Sequence, residues 1–326
     1  MKQFLKNILF FCLPLVVLFI GASIISKIII NTYGIFTVDK SVTTLILGHS
    51  QPECDLNDTL IKNTRNLSQG GEAYIYTYQK VKKIIEVNPQ IKTILISFSN
   101  NQTEELMNKW TYGDAIMESY YPKYSFMMDK QDVSLFVKNN FSSFLSAETK
   151  SIASNLKILT NIKKNRLEDR NWGGYLYLIR NKTDSLLKTH DTDILKKQKN
   201  NKISKVNIDY LSKIVSFCKL KKIKIVFMRL PVHPKLFAIQ DESTFQKIRR
   251  TKFNDIPFLD FHNFEATNKE FGDLEHLNHF GAKRFSLFFN QLIEQGILSD
   301  KNPQEKINTA MKINQVTQQI LEIKPI

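Results

Sequence analysis

A run of nineteen residues without a charge, at positions 8–26, most limits how this chain can fold. As a helix, this run would be roughly 28 Å long, close to the thickness of the hydrocarbon core of a bilayer. Lys2 and Lys6 precede it, and this positive flank predicts a cytoplasmic N-terminus. We therefore predict a single-pass anchor over residues 1–30, in the inner or cytoplasmic membrane, with the remaining chain outside the cytoplasm.

The alternative is a cleaved signal peptide. Gly21 and Ser23 form a weak small-x-small cleavage pattern near the end of the run. The run is long, however, and apolar isoleucines continue beyond that point. The pattern favours an uncleaved anchor, and either reading places the rest of the chain outside the cytoplasm.

The net charge of +15 is concentrated in one region. Residues 151–250 contain 23 Lys and Arg but 8 Asp and Glu, an excess equal to that of the whole chain. Such an excess favours an anionic partner, such as lipid head groups or a charged polysaccharide. A location outside the cytoplasm argues against nucleic acid. The other interpretation is a solvated basic face with no partner.

Short apolar runs that end abruptly in polar residues alternate with amphipathic stretches. The predicted strands lie at 42–48, within 64–71, at 91–101, at the start of 224–234 and at 256–261. Helices are predicted at 72–89, 207–223, 243–252 and 279–296. Strands without alternation are typical of a parallel sheet that is covered on both faces. We predict a three-layer α/β/α domain with about five parallel strands.

The stretch between the third strand and the return of this pattern differs from the rest. It is rich in aromatic and basic residues and contains helical patterns at 135–159 and 161–182. Loops this long are usually functional or disordered, so we interpret it as a long, mostly helical insertion. The predicted division is an anchor (1–30), a first half-domain (31–101), the insertion (102–205), a second half-domain (206–300) and a polar C-terminal helix or tail (301–326).

In an open parallel sheet, reactive groups gather beyond the carboxyl ends of the strands. The candidates that follow predicted strands are Ser50 with its neighbour His49, Gly70, Gly71, Asn100, Asn101, His233, Asp273 and His276. A serine hydroxyl needs an adjacent base to act as a nucleophile, and a histidine base needs a partner that fixes its tautomer. Asp273, three residues before His276, can supply that partner. A glycine N–H and an asparagine amide can form an oxyanion hole beside the serine.

The order of these motifs resembles the SGNH (GDSL-type) hydrolases. A Gly-x-Ser after the first strand, a glycine block, an asparagine block and a late D-x-x-H occur in that order here, and "DLEHLNHFGA" is similar to the form in membrane-anchored members. The resemblance covers about 42–101 and 206–295 and implies a flavodoxin-like fold. It also implies Ser50 as nucleophile, His276 as base and Asp273 as its partner. Gly70 or Gly71 and Asn100 would be the oxyanion donors.

Three features depart from the family pattern. Histidine replaces aspartate between Gly48 and Ser50, and the usual G-x-N-D block is "FSNN", so Asn100 and Asn101 remain alternatives. His49 could contact substrate or serve structure, and His233 could line the cleft. Pro52 stands where the nucleophile elbow of α/β-hydrolases needs its second glycine, which argues against that other fold.

The resemblance and the anchor together imply an extracytoplasmic serine esterase or O-acyltransferase that acts on acyl esters of a cell-envelope glycan or glycolipid. They also suggest a membrane acyl-donor protein as a partner. No cofactor and no metal are expected. The alternative is a non-catalytic module that binds an anionic envelope glycan or an assembly partner. A weaker alternative is hydrolysis of lipids at the membrane surface.

Overall fold

A computed structural model of the chain describes residues 1–157, 172–188 and 202–323. The chain divides into two compact units. The first comprises Met1–Thr37 with Lys109–Asn171, and the second comprises Val38–Asn108 with Trp172–Ile326.

The first unit is helical. Its described helices are α1 (Lys2–Tyr33), α5 (Asp114–Tyr124), α6 (Lys130–Asn139) and α7 (Phe141–Leu156), with α4 (Met107–Tyr112) beginning at its border with the second unit. The described side chains of α1 up to Leu18 are exposed, and the helix is long and apolar enough to cross a membrane.

The second half of α1 packs against α7 through a buried polar cluster. Glu148 on α7 accepts hydrogen bonds from Ser23 and from the hydroxyl of Tyr121, the latter at 2.6 Å. The ammonium of Lys27 lies 2.8 Å from the same carboxylate. Burial raises the pKa of Glu148, but these partners outweigh burial and lower it overall. The carboxylate is therefore ionised and tied to α1.

The second unit contains a five-stranded, fully parallel sheet in the order β2-β1-β3-β4-β5, which confirms the predicted fold class. The strands are β1 (Thr44–Leu47), β2 (Thr64–Asn66), β3 (Thr93–Ser97), β4 (Lys224–Arg229) and β5 (Phe258–Asp260). Most of their residues are buried, as expected for strands covered by helices on both faces.

The described α-helices of this unit are α2 (Ser50–Asp55), α3 (Tyr74–Val87), α8 (Thr183–Lys188), α9 (Lys205–Leu220), α10 (Pro234–Phe237), α11 (Glu242–Lys252), α12 (His279–Glu294) and α13 (Pro303–Ile323). Phe285 and Phe289 on α12 pack around Phe261, which follows β5. Burying each such ring contributes on the order of 2 kcal/mol to folding. The C-terminal helix α13 buries Ile307 in the same core.

The predicted helical stretch 161–182 has two parts. Residues 161–171 lie outside the described residues, and 172–182 form irregular chain in the second unit, with no helix. Gly174 donates its N–H to Ser68, Leu176 to Glu53 and Lys182 to Gly272. We call 172–182 the crossing segment, because it bonds to the helix that follows β1 and to the loops that follow β2 and β5.

Candidate active site

Ser50 is presented by a tight connection between β1 and α2. Gly48 has φ +152°, and a Cβ there would lie 2.7 Å from that of Ser97 and 2.9 Å from Pro52 Cγ. Only glycine fits this turn without displacing its neighbours. Ser50 then begins α2, where the first backbone N–H groups have no carbonyl partner within the helix. The serine side chain is thus at the carboxyl end of the sheet, in the first turn of α2.

The loop between β5 and α12 carries Asp273 and His276. Asp273 Oδ1 accepts the backbone N–H groups of Glu275 at 2.8 Å and His276 at 2.9 Å. These two bonds close a turn that holds both side chains on one side of the loop. Asn278 then caps α12 by accepting the N–H groups of Phe280 and Gly281.

The structure brings Ser50, His276 and Asp273 together in hydrogen-bonded order. Ser50 Oγ lies 2.7 Å from His276 Nε2. His276 Nδ1 lies 2.9 Å from Asp273 Oδ1 and 3.1 Å from Oδ2. With the Nδ1 proton directed to the carboxylate, Nε2 is left to accept the serine proton.

Electrostatics support this arrangement. Burial raises the pKa of Asp273, but the hydrogen bond and charge of His276 outweigh burial and bring it to about 2. For His276, burial lowers the pKa, but the bond to Asp273 and the nearby Glu275 charge raise it overall. Asp273 therefore stays ionised beside a histidine of increased basicity, as a general base requires.

Arg180 is a site residue that the sequence reasoning missed. It comes from the crossing segment, and its guanidinium donates to Asp273 Oδ2 while lying 3.3 Å from His276 Nδ1. Its side chain is 42% exposed, so solvent reaches it beside the triad. No local pattern singled it out, because it is one of many basic residues in the insertion.

The glycine block lies next to the serine, but its donor is engaged. Gly70 N–H donates to Glu53 Oε2 at 2.8 Å, and a Cβ on Gly70 would lie 3.7 Å from that of Ser50. Gly71, at φ +73°, makes the turn that follows. Gly70 therefore lies beside Ser50, and Glu53 holds its N–H in this state.

The two asparagines point to different partners. Asn101 Nδ2 donates to Glu275 Oε1 at 2.6 Å, within the loop that carries the triad. Asn100 Nδ2 donates to Glu242 at 3.0 Å, and its oxygen lies 3.3 Å from Arg229 Nη1. Of the two alternatives left open by the sequence, Asn101 is the one in contact with the triad loop.

The remaining predicted histidines are held away from the reacting atoms. His49 is buried, with Nε2 3.3 Å from Ser97 Oγ and 3.4 Å from Ser99 Oγ. Burial, aided by the nearby His276 charge, lowers its pKa to about 3, so it is neutral. His233 caps α10 through Nδ1, and its backbone N–H donates to Leu274, which supports the triad loop from behind.

The sequence reasoning also missed a buried network of charged side chains next to Asn100. Arg229, at the end of β4, bonds to Asp260 at the end of β5 and to Glu242 on α11. The available signal was an arginine and an aspartate closing two apolar strands. A buried pair of this kind fixes the two strand ends, because removing either partner would leave an uncompensated charge.

Comparison with known proteins gives distant matches. One protein-family model matches residues 187–298, less than half of the chain. No curated protein matches it in sequence.

Two solved structures match most of the chain at low identity. A protein from Bacteroides fragilis described as an acylhydrolase is 13% identical, with a TM-score of 0.33, over 78% of this chain and 86% of that one. A GDSL-like lipase from Bacteroides thetaiotaomicron is 12% identical, with a TM-score of 0.33, over 79% and 91%.

Proposed function

We propose that this chain is a serine-dependent esterase or O-acyltransferase of the SGNH type, acting through an acyl-Ser50 intermediate. The observation that carries the proposal is the continuous hydrogen-bonded chain from Ser50 Oγ through His276 to Asp273, with distances of 2.7 and 2.9 Å. A nucleophile, a base and an orienting acid in this order are the arrangement used for acyl transfer on unrelated folds.

The reaction follows from the three roles. Ser50 Oγ attacks the carbonyl carbon of an acyl ester while His276 Nε2 takes the hydroxyl proton. The carbonyl oxygen becomes an oxyanion near the N–H groups of Ser50 and Gly70 and the amide of Asn101. The protonated His276 then gives its proton to the departing alcohol, leaving acyl-Ser50. An incoming hydroxyl loses its proton to His276 and attacks the acyl carbon. The bond from that carbon to Ser50 Oγ then breaks, and His276 returns the proton to the serine.

The acceptor decides between two outcomes of the same chemistry. Water as acceptor makes the chain an esterase, and a sugar hydroxyl makes it an acyltransferase. Asp273 keeps the imidazole in the tautomer that both outcomes need, and Arg180 holds the second oxygen of that carboxylate.

The substrate class is inferred from the anchor and the charge. The apolar helix α1 supports attachment to the inner or cytoplasmic membrane with the second unit outside the cytoplasm. The excess of 15 positive charges in residues 151–250 suits an anionic partner. We therefore propose an acylated cell-envelope glycan or glycolipid as substrate, with a membrane acyl-donor protein as partner in a transferase reaction and no nucleic acid.

A binding module without catalysis is the second candidate. It is favoured by one observation: the candidate oxyanion donors Gly70 and Asn101 each donate to an internal carboxylate. In that case the second unit would bind an anionic glycan or an assembly partner, and Ser50 would be dispensable.

Labelling with a fluorophosphonate probe separates the two candidates. The full-length chain in detergent is compared with Ser50→Ala and His276→Ala, and the modified residue is identified by mass spectrometry. An adduct on Ser50 that is lost in both variants supports the serine enzyme. A folded wild-type chain that takes no adduct, together with retention on an acidic polysaccharide matrix, supports the binding module.

The acceptor is tested with p-nitrophenyl acetate as acyl donor. Release of acetate in water identifies an esterase. Formation of an O-acetylated sugar when an oligosaccharide is added identifies a transferase. Ser50→Ala must abolish either product.

A further inference from the structure

Glu53 lies beside the proposed nucleophile and holds its neighbouring oxyanion donor. It is three residues after Ser50 on α2, so both side chains share one face of the helix. Its Oε2 accepts the Gly70 N–H at 2.8 Å. A Cβ added to Gly70 would lie 2.8 Å from this oxygen and 3.7 Å from Ser50 Cβ. The carboxylate therefore occupies the side of Gly70 that faces the serine.

The Gly70 loop is closed by bonds other than the one to Glu53. Gln69 N–H donates to Gly48 at 3.0 Å, and Glu72 N–H donates to Gln69 at 3.1 Å. Gly71 supplies the positive φ that this turn needs. Backbone hydrogen bonds thus close the loop without Glu53. The contact from Glu53 adds a carboxylate at the position where the negatively charged oxygen of a reaction intermediate would lie.

Several charged or titratable groups interact with Glu53. On α2 the group is Cys54; from α3 and the loop before it they are Lys80 and Glu72; from the triad loop it is His276. Burial raises the pKa of Glu53 and Glu72 raises it further. The Gly70 N–H, Lys80 and His276 act in the opposite direction without cancelling burial.

We propose that the ionised carboxylate of Glu53 closes the oxyanion site of the resting enzyme by holding the Gly70 N–H, and that the substrate's carbonyl oxygen takes its place during reaction. The proposal rests on the proposed acyl-transfer function. Two negative charges at one backbone donor repel each other, so the transition state is reached from the form in which Glu53 is protonated or has turned away. Glu53 is thus a positioning residue that controls access to the site.

The direction of the pH effect follows from the charge. At low pH, Glu53 is protonated and imposes no repulsion, but His276 is protonated and cannot act as base. As pH rises, His276 becomes active and Glu53 becomes ionised. The wild-type rate should therefore rise and then fall with pH, and the fall should be absent when residue 53 carries no charge.

The test measures the rate of fluorophosphonate labelling of Ser50 between pH 5 and 9 in the full-length chain. Glu53→Gln keeps an oxygen for the Gly70 N–H but removes the charge, and Glu53→Ala removes both. We expect both variants to lose the alkaline fall and to label at least about tenfold faster than wild type at pH 8, a fraction of what one oxyanion donor contributes. Glu86→Gln, an exposed glutamate on α3, is the matched control and should behave as wild type.

The outcomes are separable. If Glu53→Gln matches wild type and Glu53→Ala is slower, Glu53 only supports the loop and the inference is overturned. If both variants are slower, Glu53 assists catalysis and the inference is also overturned. If wild-type Ser50 takes no label at any pH, the proposed function itself fails. Thermal melting of each variant verifies that the rates are those of folded protein.

Discussion

The buried carboxyl of Asp55 accepts a hydrogen bond from the backbone N–H of Leu277 at 2.8 Å. Asp55 ends the helix that begins with Ser50, and Leu277 follows His276. This single bond therefore joins the helix of the candidate nucleophile to the loop of its base. Gln51 adds a weaker link, with its amide 3.4 Å from the Glu275 carbonyl.

Asp55 predicts a pH-dependent stability. Burial raises its pKa well above the ordinary value, so the folded state favours the protonated form. The contribution of such a group is fully present below its unfolded pKa, near 4, and is lost as pH rises towards its folded pKa. Asp55→Asn, which is neutral at every pH, should therefore melt at an increasingly higher temperature than wild type between pH 4 and pH 7. Equal pH dependence in both proteins would contradict this account.

Asp55→Ala is the companion change. It removes the acceptor of a buried N–H, which typically costs about 1–3 kcal/mol of unfolding free energy. We expect a lower melting temperature and slower labelling of Ser50, because the triad loop loses its link to α2. Asp58→Ala is a suitable comparison, because Asp58, in the 3₁₀ turn after α2, also accepts a backbone N–H, that of Asn66, but does not bond to the triad loop.

Arg180 should influence the basicity of His276. Its positive charge acts against protonation of the histidine, so Arg180→Gln should move the acidic limb of the pH–rate profile to higher pH. Loss of its bond to Asp273 should also slow labelling by about tenfold, far less than the roughly 10⁴-fold loss expected when the aspartate of a triad is neutralised. Arg180→Lys should retain the position of the limb. A profile that moves to lower pH would contradict the assignment.

Asp273→Asn should move the acidic limb of the pH–rate profile in the direction opposite to Arg180→Gln. The carboxylate raises the pKa of His276, so its loss should lower that pKa and move the limb to lower pH. The rate should fall by about 10⁴-fold, because the amide no longer favours the productive tautomer. Labelling across pH 5–8 measures both effects in one series. An unchanged rate would mean that Asp273 does not orient His276.

Substitution of Asn101 should reduce activity, whereas substitution of Asn100 should reduce stability. Asn101→Ala should slow reaction at Ser50 by about 10²–10³-fold if its amide serves the oxyanion. Asn100→Ala should leave the rate close to wild type and lower the unfolding free energy by about 1 kcal/mol, because it contacts Arg229 and Glu242 instead. The reverse pattern would assign the oxyanion role to Asn100.

The sequence by itself determined the layers of the second unit. Continuous apolar strands and amphipathic helices report burial through their periodicity, which is a local property of the chain. The same reading placed polar groups at the ends of strands, and parallel strands bring those ends to one edge. The five-stranded parallel sheet was predictable for this reason, as was the helix that is apolar enough to span a membrane.

Only the tertiary structure decided which side chains meet at that edge. Arg180 reaches Asp273 across 93 residues, and Asp55 meets Leu277 across 222. Nothing local distinguishes Asn101 from Asn100 or directs Glu53 to the Gly70 N–H. Periodicity in the sequence indicates whether a residue is buried. Its hydrogen-bond partner, in contrast, depends on the path of segments that are distant in the chain. Arg180 is an example, because the backbone contacts of the crossing segment bring it to Asp273.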